Sequence, residues 1–184
     1  SKNPLPVLPG AAVTVSAIAP DLIDLDSPAE PPRLNIFLYQ VMPSAALRND
    51  ALPWHDARGR RSTNPPLALN LHYLLSAYAR SDAAAEMILG TAMQLLHETP
   101  QLTAAMLRAL LDPAALPPTL LALADTRLAE QAERIRITPA VQTADEAFKF
   151  WTALQCPYRP SVAYEVGVVL IETERSTVQP LPVL

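Results

Sequence analysis

The stretch LALNLHYLLSAY, residues 67–78, decides the fold. Its side chains alternate between two faces, which predicts a β-strand rather than a helix. Every second residue is large and apolar, and these form one face: Leu67, Leu69, Leu71, Tyr73 and Leu75. The other face is mixed: Ala68, Asn70, His72, Leu74 and Ser76. The position of His72 in mid-strand raises the question whether this strand carries chemistry or serves as a surface.

Four more segments have the composition or alternation of strands: 11–18, 33–42, 133–139 and 162–174. The segment 33–42 is largely apolar on both faces, which predicts a central strand covered on both sides. Apolar positions at helical spacing predict a helix that Ser81 or Asp82 caps and Pro100 ends, and a second helix that begins near Gln101. The capping box from Thr143 to Glu146 predicts a third.

Consecutive strands followed by helices indicate an α+β fold. We expect a single mixed, mostly antiparallel sheet of about five strands, with three to four helices packed mainly on one face. The predicted domain runs from 11 to 175, between an extended N-terminal segment (1–10) and an extended tail (176–184). The loop 43–66 is long for a compact domain, and loops of this length are usually functional or mobile.

Composition excludes several function classes. A chain of 184 residues fits one domain, and its net charge of −4 gives no basic surface for nucleic acid or anionic lipid. The short basic run 58–61 is interpreted as a solvated loop. No apolar run is long enough to cross a membrane, and no signal peptide is recognised. The single cysteine excludes an intramolecular disulfide, and twenty prolines against four glycines favour a rigid shape over a phosphate-binding loop.

Residues that could carry catalysis do not form a recognisable motif. His55, His72 and His97 lack metal-ligand spacing, so we predict no metal and no cofactor. A small hydrolase or transferase that uses Cys156 with His72 or His97 is one alternative function, although a buried structural cysteine is the expected role. Another alternative is an adaptor that binds peptides along a sheet edge.

Several stretches in order resemble a known family: LNIFLYQV, LRND, PPLALNLHYLLSAYA, AEMILGTAMQLLHETP and FWTALQCPYRPSVAYEVGVVLIETE. They are similar to the conserved N-terminal domain of the tail-terminator, or cap, proteins of extracellular contractile injection systems of the antifeeding-prophage and virulence-cassette type. The resemblance covers residues 11–175. Members usually begin with a helix before the first strand, whereas this sequence has SKNPLPVLPG there.

The resemblance implies a non-enzymatic structural protein with a phage tail terminator-like fold. It implies a hexameric ring on the last ring of the inner tube, which ends tube growth and meets the last sheath layer. Its partners would be itself, the tube protein and the sheath protein, with no nucleic acid and no membrane. Such a protein assembles in the cytoplasm and leaves in an extracellular particle. On this interpretation His72 is a sheet residue and not a catalytic group.

Arginine and aromatic side chains are enriched at the centres of protein interfaces. We therefore expect two groups to contact neighbouring subunits, tube or sheath. The first is Arg48, Asn49, Trp54, Arg58, Arg60 and Arg61 in the long loop. The second is Tyr158 and Arg159, next to Pro160. The alternatives are that Arg48 and Asn49 only shape a turn and that Tyr158 packs on its own helix.

Overall fold

A computed structural model describes residues 12–23, 31–45, 67–124, 126–131 and 134–171. The strands are β1 (Thr14–Ser16), β2 (Arg33–Pro43), β3 (Leu67–Tyr78), β4 (Gln101–Leu102), β5 (Ile135–Ala140) and β6 (Ser161–Ile171). The helices are α1 (Asp82–Glu98), α2 (Ala104–Leu110) and α3 (Ala144–Ala153), with 3₁₀ turns at Pro20–Leu22, Pro118–Leu123 and Arg127–Glu130. In the described ranges, no helix combines the length and apolar character needed to cross a membrane.

The strands form one sheet in the order β1-β2-β3-β6-β5-β4, which confirms the α+β class. The sheet has six strands rather than five because Gln101–Leu102 forms the short strand β4. The second helix starts at Ala104, later than predicted, since the Thr103 hydroxyl accepts a bond from the Met106 amide (3.3 Å) and caps it there. The caps predicted at Ser81 and at Thr143–Glu146 are confirmed.

The chain divides into two compact units. The first consists of Ser1–Val41, Leu71–Leu102 and Arg136–Val166, and the second of Met42–Asn70, Thr103–Ile135 and Gly167–Leu184. In the first unit, α1 packs on one face of the sheet. Its buried residues Ile88, Leu89 and Ala92 share a cluster with four residues of the strands: Leu34, Leu75, Ala77 and Tyr164. Helical spacing predicts a stripe of Ile88, Leu89, Ala92, Leu95 and Leu96, and the structure buries its first three members, whereas Leu95 is 41% exposed.

Helix α3 covers the opposite face of the sheet. Trp151 packs with Leu74 and Ala163, whose side chains point away from those of Leu75 and Tyr164, their neighbours in sequence. The structure therefore differs from the expectation of helices mainly on one face. The small side chains on this face, Ala163 and the fully buried Ser76, leave room for a helix against a surface that looked mixed in the sequence.

Strand β2 lies next to the edge of the sheet and not at its centre. Its neighbour β1 pairs with it in parallel and only from Arg33 to Asn35. The fully buried Asn35 holds the chain that follows β1: its amide donates to the Ile18 carbonyl (2.9 Å), and its oxygen accepts from the Ser16 hydroxyl (2.7 Å) and the Ile18 amide (3.2 Å). Farther along, Leu38 and Val41 are exposed, so the coverage predicted for both faces of β2 is limited to its first residues.

Within the second unit, polar groups outside the strands form hydrogen bonds to the backbone of the strands. The Ser44 amide donates to the Ala68 carbonyl (2.8 Å). The Gln131 side chain donates to the Val168 carbonyl (2.9 Å) and accepts from the Leu170 amide (3.2 Å), as a strand residue would. Helix α2 buries Leu107 and packs against the 3₁₀ turn Arg127–Glu130. A Cβ atom at Gly167 would lie 2.7 Å from Asn70 Oδ1, so a side chain at this position would force Asn70 to move.

Candidate functional site

The predicted interface residues fall into two groups in the structure. Arg48, Asn49, Trp54, Arg58, Arg60 and Arg61 lie outside the described residues, as does His55. Tyr158 and Arg159 lie in the segment that joins α3 to β6. Of the predicted interface residues, these two have contacts that the structure describes.

The end of α3 sets the position of this segment. Gln155 has a φ of 55°, in the left-handed region that often follows a helix. Its amide donates to the Thr152 carbonyl (3.0 Å), and the Cys156 amide donates to the Trp151 carbonyl (3.2 Å). This pair of bonds is a Schellman motif, which satisfies carbonyls at the end of the helix and turns the chain sharply. Pro157 and Pro160 then fix φ on either side of Tyr158 and Arg159.

Tyr158 stacks on Phe148 of α3. The ring centroids are 4.7 Å apart and the planes differ by 24°. Tyr158 therefore packs on its own helix, which was the alternative interpretation, but the contact leaves both rings open to solvent: Phe148 is 55% exposed and Tyr158 50%. Two adjoining half-exposed aromatic rings on a rigid support have the composition of an interface anchor.

Arg159 is held by an aromatic ring. Its guanidinium carbon lies 5.0 Å from the centroid of the buried Tyr78 ring, a cation–π geometry. Burial raises the pKa of the Tyr78 hydroxyl above its ordinary value, although the Ser76 hydroxyl and the Arg159 charge act against this. The cation–π contact with Tyr78 holds the Arg159 side chain next to Tyr158 in the chain.

A cleft of about 300 Å³ lies beside these residues. It is lined by Ala77, Asp82, Ala85, Glu86, Leu89, Tyr158, Arg159 and Pro160. Asp82 and Glu86 are one turn apart at the start of α1, so two carboxylates face a lining that is otherwise apolar, aromatic and cationic. The described residues of the lining include no serine, threonine, cysteine or histidine, so they provide no hydroxyl nucleophile of that kind, no thiol and no imidazole. A surface of this kind suits a side chain of another protein. We call Phe148 together with the residues of this cleft the Tyr158 surface.

His72 belongs to an aromatic group on the α3 side of the sheet. Its ring centroid is 6.1 Å from that of Tyr39, which meets Phe150 edge to face at 5.2 Å. Burial raises the pKa of Tyr39, and the charges of Glu146 and Glu165 raise it further. His72 thus lies in β3 and contacts the sheet residue Tyr39, which in turn contacts Phe150 of α3. Within the described ranges, no group of three or more His, Cys, Asp or Glu side chains could hold a metal ion.

Cys156 lies in a smaller cleft of about 180 Å³, lined by Pro20, Asp21, Ile23, Tyr78, Trp151, Gln155, Pro157 and Arg159. Its thiol donates to the Leu154 carbonyl (3.3 Å). Burial raises the pKa of this thiol, and the Asp21 charge raises it further. A cysteine nucleophile needs the opposite, a lowered pKa and an adjacent base, and no histidine is among the described residues that line this cleft.

We expect Cys156 to react slowly with iodoacetamide at pH 7.5, more slowly than a free cysteine in the same buffer. Because its pKa is raised, the thiolate fraction is below the ordinary value at neutral pH, and the rate should climb as pH rises through and beyond the usual thiol range. The measurement is a time course of alkylation by mass spectrometry from pH 6.5 to 10, with unfolded protein as the control. Alkylation faster in the folded protein than in the unfolded protein at pH 7 would revive the cysteine-enzyme hypothesis.

One member of the Tyr158 surface was not recognised in the sequence. Phe148 lies on the apolar stripe of α3 with Trp151, which predicts burial for both, yet only Trp151 is buried. A helix of ten residues can bury only a narrow stripe against a sheet, and Phe148 lies at its margin. The sequence does contain a hint of this contact, because an aromatic residue in the helix, Phe148, is followed by another, Tyr158, shortly after the helix ends.

Comparison with known proteins gives one family and a common fold. A family model described as the Pvc16 N-terminal domain matches residues 3–184. A search of curated protein sequences finds no match. Among solved structures, the chain is similar to the sheath/tube terminator, in the extended state, of an extracellular contractile injection system called PVC. The TM-score is 0.57 and the identity 18%, over 94% of this chain and 53% of that chain.

It is also similar to the tube-terminating cap of the anti-feeding prophage. Here the TM-score is 0.53 and the identity 18%, over 92% of this chain and 52% of that chain. The chain thus spans about half the length of each of these structures. At this identity the likeness shows a shared fold.

Proposed function

The chain belongs to the Pvc16 N-terminal domain family, and from this membership we propose that it is a structural cap subunit of a phage-tail-like contractile injection particle. It would form a ring, of six copies by the family resemblance, that ends growth of the inner tube and meets the last sheath layer. The observation that carries the proposal is the family match over nearly the whole chain. The similarity in fold to a sheath/tube terminator and to a tube-terminating cap supports it.

The chemistry of the described residues agrees with a role in assembly. Large apolar side chains are exposed in the first unit, among them Leu38, Val41, Val141, Phe148 and Tyr158. Exposed apolar side chains that adjoin one another, as Phe148 and Tyr158 do, mark protein interaction sites. Among the described residues that line the two clefts, the one thiol, Cys156, has a raised pKa and no histidine beside it. We therefore propose that the protein is not an enzyme.

The proposed mechanism is steric. One face of the ring matches the end of the tube, and the opposite face offers no template for another tube ring, so further addition finds no complementary surface. Subunits would close the ring head to tail, because a heterologous contact generates a ring when its rotation closes. Assembly would take place in the cytoplasm before the particle is released.

The capping role is tested by adding the protein to polymerising inner-tube protein and measuring tube lengths by electron microscopy. Capped tubes should become shorter and more numerous as the ratio of cap to tube protein rises. An unchanged length distribution at saturating cap protein would contradict the proposal.

The same assay tests the Tyr158 surface. Replacing both Phe148 and Tyr158 by alanine should weaken shortening by about tenfold or more in effective concentration, as expected for loss of an aromatic anchor. The matched control is Tyr158→Phe, which keeps the stacked ring and loses only the hydroxyl, and it should cap nearly as well as the wild type. If the double variant caps normally and loses thermal stability instead, the two rings have a structural role only.

A further inference from the structure

The cleft of the Tyr158 surface suits a long side chain with an apolar stem and a cationic end. Its volume is about 300 Å³, and its described lining supplies Leu89 and the Tyr158 ring for the stem and two carboxylates, Asp82 and Glu86, for the cation. The two acids are four residues apart on α1, so they share a face and are separated by about 6 Å along the helix. An arginine side chain has this shape and charge, and it also stacks on aromatic rings.

The charges of the cleft leave a place for one cation. The described lining carries two carboxylates and one guanidinium, that of Arg159, which gives a net charge of −1. Arg159 is held over the Tyr78 ring, 5.0 Å from its centroid. Neither Asp82 nor Glu86 forms an ion pair with another residue that the structure describes. One incoming guanidinium would therefore neutralise the cleft and pair with both acids.

The first unit itself offers few cations that could fill this place. In its described ranges, three arginine or lysine side chains are exposed: Arg80, Arg136 and Lys149. Lys149 is paired with Asp145 of its own helix. Arg80 precedes Asp82 by two residues, so a contact through Arg80 would join the same surface of two copies and close as a pair. Arg136 is the candidate for a head-to-tail contact.

Arg136 projects from the face of the sheet opposite to the cleft. Its neighbour in β5, Ile137, packs against the α1 cluster, whereas Ala140 packs against the cluster below α3. Side chains alternate along a strand, so Arg136 lies on the α3 side with Ala140. The cleft is lined by residues of α1, which covers the other face. Arg136 therefore cannot enter the cleft of its own chain, but it can enter the cleft of a second copy.

We propose that Arg136 of one copy enters the cleft of the next copy and pairs with Asp82 and Glu86 there. The stem of the arginine would lie against Leu89 and Tyr158. A contact between two different surfaces of the same chain is heterologous, and such contacts generate rings when their rotation closes. The inference rests on the ring proposed above, and it identifies the side chains that join its subunits.

Reversing the charges one at a time tests the proposal. Glu86→Arg places a cation in the cleft, and Arg136→Glu places an anion on the opposite face. Both residues are exposed, so neither change should lower the melting temperature of the monomer. Like charges would then meet at every junction, and sedimentation velocity should show self-association weakened about tenfold or more by each variant. The matched control is Arg108→Glu, the same charge change on exposed α2, which should associate as the wild type does.

Mixing the two variants gives the sharpest result. Glu86→Arg and Arg136→Glu chains in equal amounts can alternate around a ring of six, because every junction then joins opposite charges. The mixture should associate to within about threefold of the wild type, and a chain that carries both changes should recover in the same way.

Three results would overturn the proposal: normal association of Arg136→Glu, no recovery in either the mixture or the double variant, or a wild type that stays monomeric at all concentrations. Weakening by Arg80→Glu but not by Arg136→Glu is the first of these results and would indicate a paired contact instead. Rings that need Arg136 but do not shorten tubes would contradict the capping role alone. Capping by rings that form without Arg136 would contradict this contact alone.

Discussion

Replacing Trp151 by alanine should destabilise the protein by about 3–5 kcal/mol, the usual cost of removing a large buried aromatic side chain. Trp151 is 2% exposed and packs with Leu74 and Ala163, so it forms the centre of the cluster between α3 and the sheet. Its indole N–H also donates to the Ser161 hydroxyl (3.2 Å). Alanine is a good helix former, so the loss comes from the cavity and the lost contacts and not from the helix itself.

The measurement is the free energy of unfolding from urea titration, at concentrations where the protein is monomeric. Phe148→Ala is the matched control, because it removes an aromatic ring from the same helix at a position that is 55% exposed. It should cost less than about 1 kcal/mol. Equal losses for the two variants would show that α3 does not pack on the sheet through Trp151.

Replacing Asn35 by leucine should cost about 2–4 kcal/mol, because it removes a buried amide and leaves three partly buried polar groups, the Ser16 hydroxyl and the Ile18 amide and carbonyl, without their partner. The Asn35 side chain makes three hydrogen bonds to residues 16–18 and is fully buried. These bonds attach the chain after β1 to the sheet. We therefore expect the loss to be accompanied by faster amide exchange in β1, measured by hydrogen–deuterium exchange.

Two further variants separate the parts of the Asn35 network. Ser16→Ala removes one of the three bonds and should cost about 1 kcal/mol. Asn35→Asp keeps the shape but turns the group that donates to the Ile18 carbonyl into an acceptor. Since a protonated carboxyl can donate again, its deficit relative to the wild type should shrink as pH falls. A deficit that is constant or grows toward acid pH would contradict this assignment of the Asn35 amide.

Local signals in the sequence predicted much of the fold. The Ser81 cap and the Thr143–Glu146 capping box depend on neighbouring residues only, and both helices begin where these motifs indicate. The buried stripe of α1 follows from helical spacing in the same way. Strand β4 could not be predicted, because two residues are too few to show an alternating pattern of apolar and polar side chains. It is a strand because it pairs with its neighbour β5.

Properties that depend on distant parts of the chain were less predictable. The sequence of β2 indicates that both of its faces are apolar, but it does not indicate the length of the strand beside it. The short pairing of β1 with Arg33 to Asn35 was therefore not predicted. The packing of α3 depends on Ser76 and Ala163, which are far apart in sequence. The choice of Tyr158 and Arg159 came from residue type alone, and the contacts with Phe148 and Tyr78 that hold them appear only in the folded chain. Their role as interface residues stays a prediction.

The most direct test of the capping role is to locate the protein on assembled tubes. Gold-labelled protein is added to inner tubes grown to completion, and the label is mapped by electron microscopy. The proposed function predicts label at tube ends, one ring at a capped end, and arrest of that end when more tube protein is supplied. Label spread along the tube walls, or ends that continue to grow while labelled, would contradict it.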